Sequence, residues 1–514
     1  MRISRLLSTL FSIVFLILLS GFFRFYRIDT LPAGLGYDEA YNGNNALTAL
    51  YTHTWPVFYP ENQGREGLFI NLQAVSISIF GSTIWALRSV AALMGVLTVV
   101  GLFFLARDLY DERHAFIASV LHSVLLWPVV SSRIGLRASM SAAVFVYLLW
   151  AALRAYGITK SKKAAFKLPE STQNRKDRSG LYWSILTGTL LGIGLNTYLA
   201  FRVVPLLLLA IIAFAWWARI PKLFTKSLMV FSIATVLTIP LAYYYTQHPE
   251  TIFARTAPIS AFGEPLPLLH IAYNIVRELA LPFYWGSLTW LKNYSIFATI
   301  SGFFFGWGAV TILRNLIGYL RKGPSWKRPL TPVLPAMWRE ILFVLWIVVC
   351  SLPSVFSASW TFPHSLRLIF ISPVASLFIA IGMLNAMTWA NSKKAYWPRW
   401  SAPLGVLVLL SVIIVQNYSL FFDHYEDDPI TKTAAYHYAQ CQLAWQLERT
   451  SSAKRRVIVA RGSEESFGLP STAGIIVYLT NTVRSVEQER KNIHYAFAWQ
   501  VTASDSVMYI PLPP

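Results

Sequence analysis

The chain has 514 residues, of which 55% are hydrophobic and only 13% charged, with a mean hydropathy of +0.48. Soluble globular chains carry about 25% charged residues, so this composition excludes a set of soluble domains as well as disordered and collagen-like chains. It predicts a polytopic membrane protein. The net charge divides into +21 for residues 1–422 and −1 for 423–514. The surplus lies between apolar segments, where the positive-inside rule accounts for it without nucleic acid.

Apolar segments of spanning length recur along the first four-fifths of the chain and predict about eleven transmembrane helices. The first begins with basic residues, and no small-residue cleavage site follows it, so we expect it to be a retained anchor. The segments are 6–22, 84–105, 114–131, 139–156, 181–199, 203–218, 227–245, 294–313, 340–357, 367–388 and 401–421.

The distribution of basic residues predicts the orientation of the chain. With a cytoplasmic N-terminus, most Lys and Arg of the hydrophobic part fall in cytoplasmic connections. Three segments are then extracytoplasmic: 23–83, 246–293 and the tail. We expect the first to lie on the membrane surface. The tail, 423–514, carries the β-branched runs RRVIVA, GIIVYLT and SVMYIP, which predict strands of a small α/β domain beside a transmembrane domain of residues 1–422.

The first external loop, 23–83, contains adjacent acidic residues, Asp38 and Glu39, between a Pro/Gly-rich turn and an expected helix. A carboxylate near lipid can have a raised pKa and act as a general base. The alternative is an acidic pair that the helix N-terminus favours. Adjacent helical residues point about 100° apart, so the two carboxylates cannot face one substrate group together. Arg65 and Glu66 form a further charged pair in the same loop.

Arginines recur at the predicted external ends of the spans. They either extend toward lipid headgroups or converge on one cavity, where guanidinium groups would bind phosphate bidentately. The arginines are Arg133, Arg137, Arg202, Arg255 and Arg367.

Other catalytic motifs are absent from the sequence. His248 and His364 stand in no metal-ligand spacing, and Cys350 and Cys441 form no disulfide framework. No phosphate-binding glycine loop or nucleophile elbow occurs in a fitting context. Metal ligands therefore stay unknown, and a divalent metal stays open because carboxylates without a ligand spacing fit either answer.

Several segments in order resemble one family: LPAGLGYDEAYNGNNAL, GREGLFINL, FGSTIWALRSVAALMGVLTVVGLFFLARDLYDERHA, WPVVSSRIGLR, GLNTYLAFRVVPL and HPETIFAR. The pattern is similar to that of polytopic glycosyltransferases of the GT-C superfamily, in particular protein O-mannosyltransferases (glycosyltransferase family 39) and aminoarabinose lipid A transferases. The resemblance covers about the first 260 residues and, more loosely, SLPSVFSASWTFPHSLRLIFISP.

The resemblance implies an inverting transferase of the plasma membrane that moves a sugar from a polyprenyl-phosphate donor to a protein, lipid or glycan acceptor on the external side. It implies Asp38 as the catalytic base, with Glu39 at the neighbouring acidic position and Glu66 near the substrate or a metal. Substrate-binding candidates are Arg65, Glu66, Arg133, Arg137, Tyr198, Arg202, Arg255, His364 and Arg367.

The chain departs from the family pattern at two positions. Gly67 replaces the lysine of the aminoarabinose branch, and Ser287 stands where a Gly-Asp pair is common. Two other classes of function stay open. A transporter or flippase of an anionic lipid-linked substrate would use the same arginines, but its spans would be expected to carry more charge. A membrane scaffold that displays the tail would leave the 23–83 loop unexplained.

Overall fold

The computed structural model describes residues 2–158, 170–217, 219–280, 299–321, 334–358, 364–392, 401–425, 436–450, 455–460, 463–501 and 507–512. The first part of the chain contains α1 (Arg2–Phe25), α2 (Tyr37–Thr52), β1 (Phe58–Tyr59), β2 (Arg65–Glu66), α3 (Gly67–Phe80), α4 (Ile84–Leu109), α5 (Glu112–Val124), α6 (Leu126–Arg133), α7 (Ala138–Ala155), α8 (Glu170–Leu195), α9 (Val204–Trp217), α10 (Leu223–Gln247), α11 (Thr251–Ala254) and α12 (Pro267–Ala280).

The second part begins with four membrane helices and ends in a mixed unit. Its elements are α13 (Thr299–Arg321), α14 (Leu334–Val355), α15 (Ser372–Ser392), α16 (Ser401–Ser419), α17 (Tyr438–Arg449), β3 (Arg455–Ala460), β4 (Glu465–Ser466), β5 (Leu469–Pro470), α18 (Gly474–Leu479), α19 (Ser485–Lys491), β6 (Ile493–Phe497) and β7 (Val507–Pro511).

The prediction of an all-α polytopic fold with a small mixed C-terminal region is confirmed. Among the described residues, nine helices are long and apolar enough to cross a membrane, and the bent pair α5–α6 makes up to ten. The apolar part of α8, Ser179–Leu195, is slightly shorter. Each of the eleven predicted apolar segments therefore overlaps a helix or a helix pair.

The centre of the bundle is formed by α4, α5, α7 and α15, which pack on one another. The apolar 18-residue stretches of α7 and α15 are each 83% buried within the protein, whereas that of α10 is 17% buried. Helices with so much apolar surface left exposed have lipid as their natural environment. The bundle therefore has a protein-packed centre and a lipid-facing periphery.

The third predicted span is broken where α5 meets α6, at an angle of 57°. The backbone N–H of Leu126, at the start of α6, donates to Asn417 Oδ1 of α16 over 3.0 Å. Since an unpaired backbone N–H is costly in an apolar environment, this contact stabilises the break. The helix α6 then ends at Arg133, and the chain turns through residues 134–137 into α7.

The first external loop is ordered as α2, the two-residue ladder of β1 and β2, and α3. The N-terminus of α2 is fixed by Glu39, whose carboxylate accepts from the N–H of Gly36 in a capping box. Helix α3 buries Phe69 and Ile70 and exposes Ile79 and Phe80. An apolar exposed side suits the expected location at the membrane surface, which stays a prediction.

The C-terminal unit has a parallel three-stranded sheet in the order β6-β3-β7, with a separate hairpin of β4 and β5. Two of the three predicted strands, in RRVIVA and SVMYIP, are confirmed. The third prediction is wrong, because GIIVYLT forms the helix α18. All of Ile475–Leu479 is buried, and a short apolar run that is buried on every side has no periodicity to separate helix from strand.

The C-terminal unit and the first external loop share one hydrophobic core. Leu35, Ala46 and Ile70 of the loop cluster with Ile458 and Ile475 of the unit. The described part of the tail is thus packed on the end of the bundle that carries the 23–83 loop. The boundary at 422/423 stays a prediction.

Candidate active site

A cavity of about 440 Å³ lies where the ends of several membrane helices meet the first external loop. Its apolar wall comes from residues such as Leu136, Leu199, Phe253 and Phe356. Its polar and charged lining consists of Asp38, Asn42, Arg65, Arg137, Tyr198, Arg202, Arg255, Thr256, Ser260, Ser357, His364 and Arg367. Among the described residues, Asp38 is the only one whose carboxylate lines the cavity.

Asp38 lies in the first turn of α2 and is half-buried. Its Oδ1 accepts from Asn62 Nδ2 over 2.6 Å. Burial alone would raise the pKa of Asp38, but Arg255, the Asn62 hydrogen bond, Arg65 and Arg137 together hold it below its usual value. The expectation of a raised pKa is therefore wrong, because the loop places this carboxylate among arginines and not against lipid alone. Asp38 is ionised at neutral pH and can accept a proton.

Glu66 holds two of the cavity arginines. Arg137 Nη1 donates to Glu66 Oε2 over 2.6 Å, and Arg202 Nη2 lies 3.5 Å from Oε1. Tyr198 packs against this pair, with the Arg137 guanidinium carbon 5.8 Å from its ring centroid, while Arg202 also donates to the hydroxyl of Tyr245 over 2.7 Å. Glu66 therefore fixes the guanidinium groups at the starts of α7 and α9.

The other side of the cavity is built from the segments before α12 and α15. Arg255 Nη1 donates to the carbonyl of Asn62 over 3.0 Å, and Arg367 donates to Ser357 Oγ. His364 also lines the cavity. Burial, and then the charge of Arg367, lowers the pKa of His364 to about 3. The imidazole is consequently neutral at neutral pH and can donate or accept a hydrogen bond.

Arg65 is 3% exposed and connects α2 to the cavity. Its Nη1 donates to Asn42 Oδ1 over 2.5 Å, and its guanidinium carbon lies 5.5 Å from the ring centroid of Tyr41. Burial, and then the neighbouring charge of Arg137, lowers the pKa of Arg65 to about 9, so it remains protonated at neutral pH. Its Nε is buried and has no hydrogen-bond acceptor among the described residues.

The cavity has a surplus of positive charge. Five guanidinium groups face it, and the carboxylates of Asp38 and Glu66 balance two of them, which leaves three positive charges. Charges lining a cleft with low-dielectric walls raise the local concentration of counter-ions. The site is suited to an anion whose charge is close to an apolar group, because apolar side chains form the remaining wall.

Three residues that the sequence placed in the site lie outside the cavity lining: Glu66, which pairs with Arg137 and Arg202, and also Glu39 and Arg133. Glu39 is fully buried and accepts from Arg88 Nε over 2.8 Å and from the N–H of Gly135 over 2.8 Å. Arg133 is also fully buried and donates to the carbonyls of Phe23, Tyr26 and Leu31. Both side chains hold backbone segments together, so we assign neither a contact with substrate. Arg65, Arg137, Tyr198, Arg202, Arg255, His364 and Arg367 do line the cavity, with Asp38.

Sequence reasoning missed several contributors to the site. Asn42 and Asn62 contact Arg65 and Asp38, respectively, and Arg88 fixes the helix that carries Asp38. The spacing of Asp38 and Asn42 by four residues, one helical turn, was the available signal for Asn42. The contact of Asn62 depends on the return of the chain through β1 and β2, which no local pattern indicates. Ser287 lies outside the described residues.

The side chains of the cavity are poorly suited to binding a divalent metal. In the part of the chain that the structure describes, no three His, Cys, Asp or Glu side chains are grouped so as to hold a metal ion. Oxygen-rich sites suit Mg²⁺ and Mn²⁺, whereas this cavity offers one carboxylate among five arginines. The residues present do not fit such an ion.

Comparison with known proteins gives one family match. The family model described as dolichyl-phosphate-mannose-protein mannosyltransferase matches residues 68–167, which include α3 through α7. No curated protein matches the chain in sequence.

Solved structures with the same fold cover nearly the whole chain. Archaeoglobus fulgidus oligosaccharyltransferase AglB, in complex with an inhibitory peptide and a dolichol-phosphate, matches with a TM-score of 0.55 and 12% identity over 94% of this chain and 68% of its own. ArnT from Cupriavidus metallidurans matches in its apo state with a TM-score of 0.56 and 13% identity, over 95% of this chain and 90% of its own. ArnT bound to undecaprenyl phosphate matches with a TM-score of 0.54 and 14% identity, over 94% and 89%. The resemblance to the GT-C superfamily is confirmed at the level of the fold, and the chain is a multi-pass membrane protein of that architecture.

Proposed function

We propose that this protein is a membrane glycosyltransferase that moves a sugar from a polyprenyl-phosphate donor to a hydroxyl acceptor on the extracytoplasmic side. The observation that carries the proposal is the meeting of Asp38 and five arginines in one partly apolar cavity at the helix ends. We place the protein in the plasma membrane with its N-terminus in the cytoplasm, on the distribution of basic residues.

The donor in this proposal matches the two kinds of wall in the cavity. Its prenyl tail is apolar and its phosphodiester carries one negative charge, which the cationic side of the lining would neutralise. Arg255 and Arg367 are the residues we assign to the phosphate, since Glu66 already balances part of the charge of Arg137 and Arg202. The undecaprenyl phosphate bound by ArnT and the dolichol-phosphate bound by AglB are ligands of this class.

Asp38 is the group that we assign as the general base. In the proposed step it takes the proton of the acceptor hydroxyl while that oxygen forms a bond to the anomeric carbon. The bond between this carbon and the phosphate oxygen breaks, so the anomeric centre inverts and the electron pair leaves with the phosphate. A lowered pKa makes Asp38 a weak base, and most of the rate enhancement must then come from positioning and charge stabilisation.

The cationic lining supplies that stabilisation. As the phosphodiester becomes a phosphomonoester, its charge changes from about −1 to about −2. The surplus of positive charge in the cavity is thus larger than the donor needs and better matched to the leaving group. Interactions that strengthen as the reaction proceeds accelerate it, whereas equal binding of donor and transition state does not.

The experiment measures transfer of labelled sugar from a panel of polyprenyl-phosphate donors in membranes that contain the wild type or Asp38→Asn. Removal of a general base lowers the rate by about a hundredfold or more, and we expect such a loss at equal expression. The matched control is Asp29→Asn, which changes an exposed aspartate outside the cavity. Full activity of Asp38→Asn would refute the assignment of the base.

A second arm of the experiment tests the phosphate contacts. Arg367→Lys keeps the charge but removes the bidentate fork, and Arg367→Ala removes both. We expect the donor KM to rise in the order wild type, lysine, alanine, with a smaller change in the acceptor KM. If no donor supports transfer by the wild type but labelled lipid headgroups cross the membrane, the flippase alternative is supported in place of the transferase.

A further inference from the structure

The hairpin of β4 and β5 in the C-terminal unit has an aromatic residue at its tip. Glu465 pairs with Pro470 and Ser466 with Leu469, so Phe467 and Gly468 are the two central residues of the turn. Both have positive φ, 58° and 70° respectively, as a type I′ turn requires. Asn-Gly is the favoured pair for this turn, and a bulky residue at such a φ is unusual. Local preference therefore does not explain Phe467.

The tip of the hairpin reaches the helix that carries the proposed base. The ring centroids of Phe467 and Tyr41 are 6.3 Å apart. Tyr41 follows Asp38 by three residues, which places the two on neighbouring positions of one helix face. Arg65 contacts the Tyr41 ring and lines the cavity. Neither ring lines the cavity itself; Arg65 connects Tyr41 to it, and Phe467 packs on Tyr41.

Both rings remain partly accessible, since Phe467 and Tyr41 are each half-buried. Two exposed carboxylates, Glu464 and Glu465, stand directly before the tip. Aromatic faces carry partial negative charge and attract the polarised C–H groups of an apolar ligand face, while carboxylates accept hydrogen bonds from hydroxyl groups. An aromatic surface on a hairpin that also carries exposed carboxylates suits a sugar ring, which has a C–H face and a hydroxyl edge.

We propose that Phe467 and Tyr41 form a stacking platform for the acceptor, and that the acceptor presents a pyranose ring there. The inference rests on the proposed function, because it takes Asp38 as the place where the acceptor hydroxyl reacts. It assigns the C-terminal hairpin to acceptor recognition and leaves the donor to the arginine side of the cavity. The acceptor is accordingly a glycan or a glycolipid.

The test measures binding of methyl hexosides and short oligosaccharides to the full chain in lipid nanodiscs by saturation-transfer NMR. Phe467→Asn removes the ring and introduces the residue that the turn favours, so the hairpin is kept; Phe467→Trp keeps an aromatic ring. We expect Phe467→Asn to weaken glycoside binding by about tenfold, with an unchanged or higher unfolding temperature. Phe467→Trp is expected to bind as the wild type does.

Three outcomes overturn the platform: no glycoside binds the wild type, binding is equal in Phe467→Asn, or only Ser/Thr peptides bind. Binding of undecaprenyl phosphate to the same samples, followed by its protection against thermal unfolding, tests the proposed function separately. Failure of that lipid to bind, together with glycoside binding that depends on Phe467, would contradict the donor assignment and support the platform.

Discussion

Replacing Glu39 by alanine should destabilise the protein strongly, because its partner Arg88 would remain buried without a counter-charge. Both side chains are fully buried, and the guanidinium group of Arg88 donates to Glu39 over 2.8 and 3.0 Å. Arg88 also donates to the carbonyls of Ile28, Pro32 and Gly34. Breaking a buried pair by removing one partner costs about 3–5 kcal/mol. Glu39→Gln also removes the counter-charge but keeps the volume and an acceptor oxygen for Arg88, so it should cost less than Glu39→Ala.

The assay is the half-life of folded protein at a fixed elevated temperature, since large proteins commonly unfold irreversibly. If the whole loss speeds unfolding, 3 kcal/mol shortens the half-life by about a hundredfold. The control is Glu250→Ala, at an exposed glutamate 3.6 Å from His248, where the change should be within about 0.5 kcal/mol. A half-life for Glu39→Ala equal to that of the control would refute the reasoning.

Three further outcomes are expected. The pKa of His364 is lowered to about 3 from its ordinary 6.5, so the unfolded chain binds more protons between these values; stability should fall as pH drops through this window, and less so in His364→Gln. Gly43→Ala should lower the unfolding temperature because a Cβ there lies 2.4 Å from the Tyr478 ring, whereas Gly21→Ala, with open space at that Cβ, should not. Arg456→Met should speed proteolysis of the C-terminal unit, because Arg456 joins the ends of two helices: it donates to the carbonyls of Leu447 and Thr450 at the end of α17 and of Lys491 at the end of α19; an unchanged cleavage rate would contradict this role.

The sequence predicted the membrane helices well because each requires only a sufficient length of apolar residues, which composition alone reveals. It did not predict the break between α5 and α6. That break lies inside a continuous apolar run, and its stabilising contact comes from Asn417, almost 300 residues downstream. The helix α18 was missed for a related reason, since burial on all sides leaves no polar face to mark the helical period.

The sequence identified most of the charged residues of the candidate site but not the directions in which their side chains point. Arginines at helix ends could be found by position, and the structure brings four of those five candidates to one cavity, together with Arg65 of the first loop. Sequence could not separate Arg133 from Arg137, because the direction of each side chain depends on how residues 134–137 turn out of α6. In the same way, Asp38 and Glu39 differ by one step of about 100° around α2, and tertiary packing decides which of them faces the cavity.

Neighbouring residues of the helix α2 face the cavity on one side and the C-terminal unit on the other. Asp38 and Asn42 line the cavity, while Asn44 donates to the carbonyl of Gly474 and Gly43 touches Tyr478 of the C-terminal unit. A substitution that repacks α18 would thus rotate or shift the carboxylate of Asp38, the proposed base, as well. Substitutions in the C-terminal unit are consequently constrained by the position that α2 must keep at the cavity. Grafting this unit from a relative should therefore require α2 to be transferred with it.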